Sequence, residues 1–155
     1  MTLLTQLESS KEFKKFREEN KTAYLCAEFL ILDFETNKDS FQIDYSLEDE
    51  KIATFSLGEK VEMQICENLG KNKLEEIKNI NLSPEEIKEA VVSHLKNKQV
   101  TKIIAVLQNL GGEEIWNLTC ITKGLAIIRL KIRDSDSWLL EEKDTSLFDI
   151  VKRVK

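Results

Sequence analysis

Apolar and polar residues alternate with a period of two along much of this chain, the pattern of half-buried β-strands. Phe41, Ile43, Tyr45 and Leu47 alternate with Gln42, Asp44 and Ser46. Val61, Met63 and Ile65 alternate with Glu62 and Gln64, and Ile128, Leu130 and Ile132 with Arg129, Lys131 and Arg133. Denser apolar runs at 24–34 and 101–110, with shorter ones at 52–57, 115–121 and 138–142, complete two sets of four strands. Polar turn clusters separate them, among them Glu35-Thr36-Asn37-Lys38-Asp39, Gly58-Glu59-Lys60, Gly111-Gly112 and Asp134-Ser135-Asp136-Ser137.

A helical period appears twice. Phe13 and Phe16 give an apolar edge to a charged segment that ends near Asn20, and Ile87, Ala90, Val91 and Leu95 form a stripe that begins just after Pro84. Each segment opens on a serine with a glutamate three residues on, Ser9 with Glu12 and Ser83 with Glu86, the spacing of a capping box. Residues 146–154 predict a short terminal helix with Leu147, Ile150, Val151 and Val154 on one side.

These elements recur. The helix starts lie 74 residues apart, and the strand patterns align at a spacing of 75, with 29–33 matching 104–108 and 41–45 matching 116–120. Because a meander has one apolar face that a helix covers, the expectation is an α+β fold of two repeated units, each one helix packed on a four-stranded antiparallel meander. The units are placed at 1–70 and 83–155, with a connector at 71–82.

Composition adds little to that picture but narrows the function. With 155 residues, 41% of them hydrophobic and 33% charged, the chain has the make-up of an ordinary globular protein. The net charge of −5 is uneven: residues 1–70 hold 8 basic and 15 acidic side chains, residues 71–155 hold 15 and 13. Cys26, Cys66 and Cys120 are odd in number and lie inside apolar strand patterns, so they are expected as small buried hydrophobes in a reducing compartment. No signal peptide or membrane-spanning run is legible, since Leu3, Leu4 and Leu7 lack a basic flank and the apolar run at 23–34 is interrupted by Glu28. A cytoplasmic location follows as the expectation.

The second unit resembles the PepSY domain family. The resemblance covers roughly residues 82–143 and rests on the acidic helix start Pro84-Glu85-Glu86-Ile87, the Trp-led strand Trp116-Asn117-Leu118-Thr119-Cys120, the strand 128–132 and the turn at Asp134 before Trp138. That family's usual Asp-Ala-x-Thr-Gly turn is replaced here by Asp134-Ser135-Asp136-Ser137, which keeps the Asp and lacks the Gly. The first unit looks like a diverged copy, in a tandem arrangement similar to small archaeal proteins of unknown role. The resemblance implies a cystatin-like helix wrapped by an antiparallel sheet, and protease regulation or other non-catalytic binding.

Candidate chemistry is sparse. His94 is the sole histidine and flanks the second helix's apolar stripe with no nucleophile tied to it, and the Asp134 turn has Trp138 and Leu139 where a calcium loop needs an oxygen ligand and a glycine. Neither a catalytic residue, a metal site nor a cofactor is assigned. Arg129, Lys131 and Arg133 should form a basic ladder on the exposed sheet face and are the candidate partner-binding residues. The expectation is thus a non-enzymatic binding or regulatory protein that engages a protein or peptide, including a second copy of itself, through a sheet edge or face. Nucleic acid and membrane are not expected partners. The alternative is a small-ligand carrier with a pocket between helix and sheet, lined by aromatics such as Tyr45 and Trp116.

Overall fold

All eight strands belong to one antiparallel sheet. The computed structural model describes residues 2–68 and 74–146. Its strands are β1 (Tyr24–Asp33), β2 (Ser40–Ser46), β3 (Lys51–Leu57), β4 (Val61–Glu67), β5 (Val100–Leu110), β6 (Glu113–Thr122), β7 (Ala126–Arg133) and β8 (Leu139–Ser146), in the order β4-β3-β2-β1-β5-β6-β7-β8. Three helices accompany them: α1 (Leu3–Ser9), α2 (Lys11–Glu19) and α3 (Pro84–His94). This overturns the expected pair of helix-plus-meander units. The two meanders fuse through β1 and β5, whose register runs from Glu28 opposite Leu107 to Asp33 opposite Lys102, and among the described residues two helices fall in the first half against one in the second. The physical reason lies in the dense runs: Phe29-Leu30-Ile31-Leu32 and Ile103-Ile104-Ala105-Val106-Leu107 are apolar on both faces, which suits strands in the middle of a sheet and not at an edge.

The core lies on one face. Leu30, Leu32, Ile43, Phe55, Ile103, Leu107, Trp116, Leu118, Ile128 and Leu130 are fully buried and join Leu7, Phe13, Phe16, Ile87 and Val91 from the helices in a single hydrophobic cluster. Over the first half, Phe13, Phe16, Tyr45 and Phe55 are all in mutual ring contact at 5.0–6.0 Å, mostly tilted or edge-on. Arg17 covers Phe13 and Tyr45, and its guanidinium donates to the Ala23 carbonyl at 2.7 Å, tying the end of α2 to the start of β1.

Helix ends show where local rules hold and where neighbours intervene. At α3 the full capping box forms, with Glu86 N–H donating to Ser83 Oγ and Ser83 N–H to Glu86 Oε1. At α2 the cap is Ser10, which accepts from Phe13 N–H, and not Ser9. Ser9 closes α1, a helix that sequence periodicity omits, and its hydroxyl donates to Thr5 O. Gly111 and Gly112 make the two-residue β5–β6 turn with φ of 67° and 92°, values that favour glycine at both places. Trp138 lies before β8 and is exposed. The expected terminal helix at 146–154 falls almost wholly outside the described residues.

Asp134 anchors the segment that links the halves. It is 2% exposed and accepts three hydrogen bonds, from Trp116 Nε1 (2.8 Å), Leu82 N–H (3.0 Å) and Asn81 N–H (2.7 Å). Further back the same segment donates from Ile77 N–H to Leu25 O, so it runs along one end of the sheet from β1 to β7. Breaking one side of such a buried charged network strands several donors at once. Asp134→Ala is therefore expected to lower the unfolding free energy by roughly 3 kcal/mol, measured by urea denaturation with Trp fluorescence; a loss below about 1 kcal/mol contradicts the anchoring role.

Candidate functional site

The ladder on β7 does not offer three free cations. Arg129, Lys131 and Arg133 do alternate with the buried Ile128, Leu130 and Ile132 and so face away from the core. Lys131, however, lies 3.5 Å from Glu141 on β8. Arg133 is a turn clamp: Nε and Nη2 donate to the two Asp136 oxygens at 2.9 and 2.7 Å, and Nη1 reaches Glu113 at 3.4 Å. The clamp holds the Asp136 carboxyl below its usual range and raises the guanidinium. Arg129 remains exposed opposite Lys143.

The two outer strands differ in character. Among the described residues, β4 and β8 each pair on one side only. β8 carries Glu141, Glu142, Lys143 and Asp144 in succession, charge that discourages further pairing. β4 has only Glu62 and Glu67, while Met63 and Ile65, on the helix side of the sheet, are 44% and 51% exposed. Cys66 on this strand is exposed, which corrects the expectation of three buried cysteines; an outermost strand leaves its side chains wet even where they alternate. Cys26 and Cys120 are buried, and burial pushes both thiols up to about 12.

A pocket lies between helices and sheet, with a volume of about 290 Å³. The first turns of α1 and α3, the segment Ile80-Asn81-Leu82 and Phe41 form its walls, and Glu28 of β1 belongs to its lining. Tyr45 and Trp116, the aromatics expected to line such a pocket, are core instead. Glu28 is 2% exposed, and its cross-strand neighbours Ile43 and Leu107 are fully buried apolar residues. Its Oε2 has no hydrogen-bond partner, the one buried side-chain oxygen or nitrogen so placed among the described residues. Burial, reinforced by the Asp134 charge, pushes the Glu28 carboxyl up to about 8. Periodicity missed this residue as a site, although an acid inside an otherwise apolar strand was the available signal. His94, by contrast, is an exposed side chain at the end of α3.

Because the folded Glu28 binds its proton more tightly than an unfolded glutamate does, its contribution to stability is intact below about pH 4.5 and is lost as pH rises through about 8. Each pKa unit corresponds to about 1.4 kcal/mol. Glu28→Gln is expected to remove a fall of a few kcal/mol between pH 5 and 9, seen as unfolding midpoints that flatten relative to the parent; parallel profiles contradict a protonated, buried Glu28. Among the described residues no helix is long and apolar enough to cross a membrane. Comparison with protein-family models, curated proteins and solved structures finds no match to this chain.

Proposed function

We propose that this protein is a non-enzymatic, cytoplasmic binding module that accepts an extended protein segment on the outer side of β4, where no described strand pairs, a second copy of the chain being the partner that β4 itself fits. The observation that carries the reading is the contrast between the sheet's two outer strands. β8 is guarded by charge, and β4 presents seven residues with exposed Met63 and Ile65 and no lysine or proline.

Strand addition satisfies the outward backbone groups of an edge and uses alternate side chains for fit. Antiparallel pairing of β4 with its own copy about Gln64 sets Met63 opposite Ile65, Glu62 opposite Cys66 and Val61 opposite Glu67, so no like charges meet. The apolar pair falls on the helix side, where it extends the existing cluster. A contact of seven residues a side is small for a permanent complex, so the association is transient, at micromolar concentrations or above. Free thiols at all three cysteines fit a reducing compartment.

Sedimentation equilibrium over a range of concentrations is expected to show a reversible dimer. In Met63→Lys/Ile65→Lys, lysine opposes lysine across the pair, and dimerisation should weaken at least tenfold while the fold is kept. A strict monomer at every concentration, or a dimer indifferent to both lysines, defeats the reading.

A further inference from the structure

The pocket over Glu28 stands apart from the β4 edge, and its chemistry points to a different kind of ligand. Its walls are apolar at Leu3, Leu4, Phe41, Ile80 and Leu82, its acidic residues are Glu28, Glu85 and Glu86, and no lysine, arginine or histidine is among its described lining residues. We propose that this pocket is a binding site for a small organic cation, a primary ammonium on an apolar body, whose N–H groups meet the Glu28 carboxylate.

Three observations converge on that ligand. First, Glu28 Oε2 is buried without a partner, and an orphaned carboxylate oxygen is costly to keep unless something donates to it. The contrast with Asp134 is direct: that equally buried carboxyl receives three donors from its own chain. Second, apolar walls at Leu3, Leu4, Phe41, Ile80 and Leu82, interspersed with the polar Thr2, Gln6, Asn81 and Ser83 and with one buried carboxyl, are the mixed construction of a small-molecule site, and about 290 Å³ accommodates a body the size of one aromatic ring with a short tail. Third, the sign of the charge is uniform. Asp134 from the end of β7 and Glu85 and Glu86 from α3 are acidic, whereas α1 contributes Thr2, Leu3, Leu4 and Gln6, β2 Phe41, and the adjoining β1–β5 seam Leu107, none of which titrates. The side-chain charges therefore favour a cation over an anion, with Glu85 and Glu86 offsetting the positive N-terminal end of α3.

Binding is coupled to a proton. An ammonium held by Glu28 requires the carboxylate form, so the free site gives up the Glu28 proton to solvent as the ion pair and hydrogen bond form. Affinity should rise about tenfold per pH unit below the Glu28 pKa and flatten above it.

The probe is 2-phenylethylamine, titrated by calorimetry and by NMR shifts into the full chain at pH 8.5 and at pH 6.5, with 2-phenylethanol and 3-phenylpropanoate as isosteric controls. The expected result is binding by the amine alone, at least tenfold weaker at pH 6.5, with proton uptake by the buffer and shifts centred on Glu28, Phe41 and Leu82. Glu28→Gln should weaken binding at least tenfold while folding at least as stably as the parent. Leu4→Trp, which enlarges an apolar lining side chain and leaves Glu28 unchanged, should block it as a second and independent variant. Equal binding of the alcohol, binding of the anion, no pH dependence, retention in Glu28→Gln, or no binding of the amine at all overturns the proposal.

Discussion

The antiparallel pairing of β1 with β5 is the constraint on which the rest of this structure depends. It joins two four-stranded meanders edge to edge, six residue pairs long, with Leu30 directly opposite Ala105. Without it each meander has an unpaired apolar strand at its side, and an isolated strand of that kind is a site for unwanted association. With it, both apolar faces become one floor, and a single cluster forms under α1, α2 and α3. The seam also decides what is left over. It puts β4 and β8 on the outside, sets Glu28 in the middle of the sheet, and leaves Ile31 and Ile104 as a partly exposed pair on the face opposite the three described helices.

Two buried carboxylates mark opposite solutions to one electrostatic problem. Asp134 is satisfied by three donors from its own chain, and it fastens the segment before α3 to the end of β7. Glu28 sits among apolar neighbours and holds its proton instead. The first group stabilises the fold. The second is a group the fold tolerates, which is why it belongs to the reasoning about ligands. A salt bridge from Lys88 to Asp39 at 2.8 Å ties α3 to the β1–β2 turn, so the helix that caps the pocket is braced against the first half as well.

Strand positions were legible because each strand has two unlike faces or a sharp polar turn beside it, as with Phe41-Gln42-Ile43 or Gly111-Gly112. The capping box at Ser83 and Glu86 was legible because it is local. Side-to-side arrangement was not, since alternation says which face is wet and is silent about neighbours. The apolar density of 29–32 and 103–107 carried that information, because a strand apolar on both faces belongs in the interior of a sheet. α1 escaped notice because Leu3, Leu4 and Leu7 make one short turn and a half of pattern, too little to separate from a disordered end. The Arg133 clamp closes on Asp136 within the turn after β7, while the Glu28 carboxyl feels Asp134 from far along the chain, and no alternation within a strand announces either role.

The most direct measurement of the central claim is native-state hydrogen exchange of backbone amides on both sides of the seam. If β1 and β5 fuse the sheet into one cooperative body, the slowest amides of β2 and β6 share a single opening free energy equal to that of global unfolding, with β1 and β5 among the most protected. Two distinct opening energies, one for β2 to β4 and one for β6 to β8, with early exchange at Phe29 to Leu32, would contradict it.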